Sequence, residues 1–144
     1  MIKRRVQKIT QQYITREHYK NGKIKKMGHR GVDLRSVNFT NWKLQKVIAP
    51  ENMKVLRRGR DGYGNGFVVC RPYDNPICDE VKFIHVDVCK SIRRGQLELN
   101  KGDLIGYTEI AGNSKAHHLH FETWSEKKPF NPLQYFDYLG VKYK

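Results

Sequence analysis

Gly59-Arg60-Asp61-Gly62-Tyr63-Gly64-Asn65-Gly66-Phe67-Val68-Val69-Cys70 places four glycines in eight positions and then turns apolar. Gly, Asp and Asn supply the backbone conformations of a tight turn, and a β-branched run bounded by such a turn reads as a strand. The same pattern continues outward on both sides. Upstream, Lys46-Val47-Ile48-Ala49-Pro50 is a short strand stopped by proline, and Met53 to Arg57 is another. Downstream, Arg71 to Glu80 carries two prolines and reads as a loop. Val81-Lys82-Phe83-Ile84-His85-Val86-Asp87 then reads as one strand with Val81, Phe83, His85 and Asp87 on a single face. A turn over Leu97 to Gly102, a strand over Leu104 to Tyr107 and an alternating stretch from His118 to Trp124 follow. The segment from Gly28 to about Asn41 reads as a loop. Only Asn131 to Leu139 has helical spacing, with Asn131 as cap, Pro132 in the first helical position and Leu133, Phe136 and Leu139 on one side. Short strands, glycine turns and little helix predict an all-β or β-dominated domain, a folded antiparallel sheet or sandwich with a short C-terminal helix.

The 144 residues are enough for one hydrophobic core and read as a single domain. Within it, residues 1–26 form a basic N-terminal arm or first strand, with apolar alternation at Val6, Ile9, Tyr13 and Ile14, and residues 27–144 form the main body. Apolar residues make up 38% of the chain and aromatics 11%, which excludes a disordered polymer. No apolar run reaches the length of a membrane-spanning helix. Met1-Ile2-Lys3-Arg4-Arg5 is basic but leads into no apolar stretch, so the expected product is made in the cytoplasm without a secretory signal. Twenty-eight Lys and Arg against 14 Asp and Glu give a net charge of +14, which suits a polyanionic partner. Nucleic acid and the acidic polymers of a bacterial wall both fit that requirement. Cys70, Cys78 and Cys89 are an odd number at non-zinc spacings and read as free thiols, with a Cys70–Cys78 bridge left open.

Chemistry concentrates in the histidines. Gly28-His29-Arg30-Gly31-Val32-Asp33 sets a histidine and a carboxylate four residues apart, and Ala116-His117-His118-Leu119-His120-Phe121-Glu122 sets two histidines two apart. On a strand, His118 and His120 project to one face while His117 and Leu119 turn away. Zinc favours neutral imidazole and carboxylate, and catalytic zinc sites use three protein ligands. His29, Asp33 and His120 make such a set, leaving His118 and His85 as unligated bases beside it. Either spacing alone is an ordinary accident in a chain with six histidines.

The order of the pieces is more specific. From Gly28 to Trp124 the chain resembles the lysostaphin/LytM-type zinc metallopeptidases, which cut peptide bonds in bacterial peptidoglycan. Gly28 to Asp33 resembles that family's first metal motif, and Asp61 to Val69 its glycine hairpin leading into an apolar strand. Phe83-Ile84-His85-Val86 resembles the strand bearing a catalytic histidine. Lys101 to Tyr107, followed by His118-Leu119-His120-Phe121-Glu122, resembles the closing signature. The resemblance implies a lysostaphin-like, duplicated-hybrid-motif-like fold and one Zn²⁺ per chain on His29, Asp33 and His120. It further implies His118 as general base and His85 as its partner in polarising water or stabilising the transition state. The family's Gly-Pro pair before the closing motif is replaced here by Ala116-His117. A tyrosine often assists the family's oxyanion, for which Tyr19 and Tyr63 are the candidates, and Asn131 is a further candidate facing the groove.

The expected function is a zinc-dependent peptidoglycan endopeptidase acting at the bacterial cell wall. Its expected setting is a phage, as a lysin released at lysis or a virion-associated hydrolase in contact with other virion proteins. A non-catalytic wall-binding or structural module of the same fold is a second reading, disfavoured because all five ligand and base positions are filled. A basic nucleic-acid-binding β-domain is a third. It would interleave aromatics with Lys and Arg on one face, a pattern the chain does not show. His18, His117, Trp42 and Trp124 read as structural or rim residues.

Overall fold

The computed structural model describes residues 1, 6–13, 17–18, 24–26, 29–36, 44–112 and 114–144. Ile14, Tyr19, Gly28, Trp42 and the side chain of His18 lie outside them. In chain order the elements are β1 (Val6–Gln11), β2 (Glu17–His18), β3 (Ile24–Lys26), β4 (Val32–Ser36), β5 (Lys46–Ile48), β6 (Met53–Arg60), β7 (Gly66–Pro72) and β8 (Glu80–Ile84). They continue as β9 (Val86–Val88), α1 (Lys90–Arg93), β10 (Glu98–Leu99), β11 (Leu104–Thr108), β12 (Leu119–Ser125), β13 (Lys128–Phe130), α2 (Pro132–Leu139) and β14 (Lys142–Tyr143). The large sheet runs β10-β6-β7-β8-β12-β4-β1-β14, with β13 added to β12, and a small sheet runs β5-β11-β9. Among the described residues every pairing is antiparallel except β1 with β14. The strand-dominated, antiparallel architecture with a short C-terminal helix agrees with the reading of the sequence.

Two of the strand readings change. Val32 to Ser36, expected as loop, is a strand at the heart of the large sheet, between β1 and β12. Val32 and Leu34 alternate with Asp33 and Arg35 over only four residues, too short a run to mark a strand by itself. Val81 to Asp87 is not one strand: β8 ends at Ile84, His85 adopts φ +69, and β9 begins at Val86 in the other sheet. The left-handed residue breaks the alternation, so Val81 and Phe83 are buried together while Asp87 is exposed and Val86 and Val88 are buried instead.

The core forms where one face of the large sheet is covered. Val32 and Leu34 of β4, Val81 and Phe83 of β8, and Leu119 and Phe121 of β12 are fully buried. α2 adds Tyr135 and Phe136. Its first turn is closed by Asn131, whose side-chain oxygen accepts from the Leu133 N–H at 3.0 Å, with Pro132 at the first helical position as expected. Asn131 is thereby committed to capping and does not line the groove, against the sequence expectation. The three cysteines are free, so the bridge left open between Cys70 and Cys78 is not formed. Phe121 is the hub, with ring centroids 5.2 Å from Phe83, 5.7 Å from Tyr135 and 5.6 Å from Phe136. Phe121→Ala empties that hub and is expected to cost about 3–5 kcal/mol. The loss should appear in urea titration as a lower midpoint at unchanged slope.

Candidate metal centre

β12 lies between β8 and β4, and in that register His120 is opposite Asp33 on one side and Ile84 on the other. Residues directly opposite in an antiparallel pair share a face, so β4 delivers the Asp33 carboxylate to His120. Nδ1 of His120 is 3.0 Å from Asp33 Oδ1. His29 reaches the same carboxylate from four residues upstream, its Nε2 lying 3.3 Å from Asp33 Oδ1. The approach depends on Gly31. A Cβ at that position would lie 2.2 Å from the Phe121 carbonyl oxygen, so only glycine lets the His29–Asp33 turn lie against β12. One nitrogen each from His29 and His120 and one oxygen of Asp33 fall within 4.8 Å of one another.

The other two histidines complete the cleft, which encloses about 680 Å³. His118 is two residues before His120 and on its face. Its Nδ1 lies 3.1 Å from the Ala116 carbonyl and its Nε2 3.7 Å from Asp33 Oδ2. His85 enters from the end of β8, its ring 4.8 Å from that of His118 and 6.1 Å from that of His120. Its left-handed backbone is held on both sides: its N–H donates to Gly66 O and its carbonyl accepts from the Glu109 N–H, each at 3.0 Å. His117 turns away to Thr108, with 3.2 Å between Nδ1 and Oγ1. Tyr63 borders the cleft and is 76% exposed. The structure therefore brings His29, Asp33, His85, His118 and His120 together.

The charges are strongly coupled. Burial raises the Asp33 pKa, but hydrogen bonds from His120 and His29 and the nearby His118 outweigh it and hold the carboxyl well below its usual range. For His120, burial works against the charged form, yet Asp33 and Glu122 outweigh it and lift the imidazole to about 9. Burial, and then His118 and His120, push His85 down to about 4 and keep it neutral. The donor set of two imidazoles and one carboxylate suits zinc in both type and number.

Two contributors were not singled out from the sequence. Glu122 accepts from His120 Nε2 at 2.8 Å and from Trp124 Nε1 at 2.8 Å. Period-two alternation from His120 already pointed to it. Asn65, in the glycine turn, faces His85 Nδ1 at 3.1 Å, and turn composition alone gives no hint of that contact.

Among solved structures, the chain is similar to a zinc-containing peptidase from Vibrio cholerae, with 21% identity and a TM-score of 0.62 over 85% of this chain and 35% of that one. It is similar to lysostaphin of Staphylococcus simulans in solution, with 23% identity and a TM-score of 0.66 over 96% of this chain and 52% of that one. LytU gives 21% identity and a TM-score of 0.64 over 96% of this chain and 90% of that one. The chain thus spans about a third of the Vibrio peptidase and about half of lysostaphin. At these identities the likeness is one of fold. No curated protein sequence matches the chain. Residues 27–132, which hold all five cleft residues, match Peptidase family M23, and the chain belongs to that family.

Proposed function

We propose that the protein is a zinc-dependent endopeptidase hydrolysing peptide bonds of bacterial peptidoglycan. The reading rests on one observation above all: a two-imidazole, one-carboxylate ligand set shares its cleft with two further histidines. Membership of a peptidase family and the lysostaphin-like fold support it. His29, Asp33 and His120 would hold the zinc, which when bound would supply Lewis acidity to polarise a scissile carbonyl and lower the pKa of water toward neutrality.

The chain's own residues do the rest. His29 is held by its Nδ1–H, which donates to the Gln12 carbonyl at 2.7 Å, so its Nε2 is the free donor for the metal. His120 is the opposite case: Glu122 keeps the hydrogen on Nε2, and Nδ1, beside Asp33, is the ligand atom. The Ala116 carbonyl can only accept, so His118 carries its hydrogen on Nδ1 and presents a bare Nε2 on the Asp33 side. That nitrogen is the general base, taking the proton of the attacking water and later delivering it to the leaving amine. His85 stays neutral beside it and steadies the developing charge. The net charge of +14 supports work on the polyanionic wall. The proposed setting is a phage lysin or virion-associated hydrolase. Incubation with purified walls, followed by mass spectrometry of the released muropeptides, tests activity and bond together. Walls left intact by the zinc-loaded protein count against the proposal.

His120→Ala is expected to abolish bound zinc in elemental analysis, and a full metal complement would remove His120 from the ligand set. His118→Ala should keep its zinc yet lose wall digestion by roughly 10²-fold or more. Retained turnover would move the base role elsewhere. Glu122→Gln should weaken zinc binding by roughly 10- to 100-fold in a chelator competition, because the imidazole loses its charged partner.

A further inference from the structure

The glycine turn Asp61 to Gly66 contributes a side chain to the cleft that the mechanism above does not use. Asn65 is 4% exposed, and its Oδ1 lies 3.1 Å from His85 Nδ1. On its other side, Asn65 Nδ2 lies 3.1 Å from Asp61 Oδ2. The second oxygen of Asp61 accepts the backbone N–H groups of Tyr63 at 2.9 Å and Asn65 at 3.0 Å. Burial raises the Asp61 pKa, but these hydrogen bonds outweigh it and keep the carboxyl below its usual range.

A carboxylate only accepts, so the amide must turn its NH₂ toward Asp61 and its oxygen toward His85. An amide oxygen also only accepts, so the His85 hydrogen must be on Nδ1 and the lone pair on Nε2. The direction of every hydrogen in this chain follows from the charge at its far end. Gly112 closes the pocket behind the amide. A Cβ there would come within 2.2 Å of Asn65 Oδ1, at a backbone φ of +58. The left-handed backbone of His85 adds a second restraint, since it fixes where the ring leaves the chain.

We infer that Asn65, anchored by Asp61, is a positioning residue that locks His85 as the Nδ1–H tautomer and presents Nε2 to the reacting groups. The inference rests on the catalytic reading of His85 given above and adds a residue to it. In this reading Asn65 acts through the His85 imidazole.

The test is the tautomer itself, read from long-range ¹H–¹⁵N correlation spectra of the zinc-loaded, ¹⁵N-histidine-labelled protein. His85→Ala identifies the resonances to follow. In the wild type, His85 is expected to show a protonated Nδ1 and an unprotonated Nε2, and the reverse pattern overturns the proposal. Asn65→Ala should shift His85 toward the Nε2–H tautomer. Its kcat should fall by roughly 10- to 100-fold, a share of what a positioned acid or base contributes, at unchanged KM and zinc content. Asn65→Asp, which keeps an acceptor toward the ring, should retain the Nδ1–H tautomer. An Asn65→Ala spectrum and kcat like those of the wild type would sink the inference. The spectrum reports the restraint whether or not a given wall is digested, so its failure and the failure of the peptidase reading are told apart.

Discussion

The pairing of His120 with Asp33 across β12 and β4 is the constraint on which the cleft depends. It is not strong in itself, since a cross-strand pair contributes about 0.2–1 kcal/mol. Its accuracy comes from the opposite face of the same strands. Leu119 and Phe121 of β12 and Val32 and Leu34 of β4 are fully buried. A slip of one residue would turn these groups toward solvent and the charged groups toward the core. Expelling each large side chain costs about 1.5–3 kcal/mol, so the apolar face holds the polar face in register. Phe121, between His120 and Glu122 in sequence, is therefore a structural residue with a functional consequence.

Much of this was legible in the chain. Glycine turns and β-branched runs marked most of the large sheet, and the Asn131-Pro132 start marked α2. The five cleft residues were readable because the spacings His29 to Asp33 and His118 to His120 are local, and their order along the chain resembled a known family. What was not legible depended on partners distant in sequence. β4 has only two apolar residues, Val32 and Leu34, and becomes a strand because β1 and β12 flank it. In the sequence His85 is one more alternating position, yet in the fold it is the point where the chain leaves one sheet for the other. A histidine can adopt positive φ at modest cost, and nothing in Phe83-Ile84-His85-Val86 announces that it does. Asn131 erred in the other direction: its capping signal was read correctly, and capping is what removes it from the groove.

The four cleft histidines share a further rule. Each has one ring nitrogen committed to an acceptor supplied by the protein: Gln12 O for His29, Ala116 O for His118, Asn65 Oδ1 for His85 and Glu122 Oε2 for His120. In three the committed nitrogen is Nδ1, and in His120 it is Nε2. The difference follows from position. His120 alone among them is inside a strand, with Glu122 two residues along on the same face, so the carboxylate meets the far end of the ring and Nδ1 turns to Asp33. The other three lie in turns or at strand ends, where the hydrogen on Nδ1 finds a nearby carbonyl or amide oxygen.

Acceptor type then separates the proposed roles. Glu122 is ionised and held below its ordinary range by His120, despite the burial that opposes its charge. A charged acceptor makes the imidazole more electron-rich and a better metal ligand. His118 and His85 instead rest on neutral oxygens, which fix the tautomer without adding negative charge to the ring. A base that must take up a proton and then give it back gains nothing from a partner that would hold it protonated. Two histidines two residues apart, identical in sequence chemistry, thus have different partners behind their rings, a neutral carbonyl for His118 and a carboxylate for His120. On the proposed mechanism, the backing acceptor, more than the presence of an imidazole, is what would divide ligand from base in this cleft.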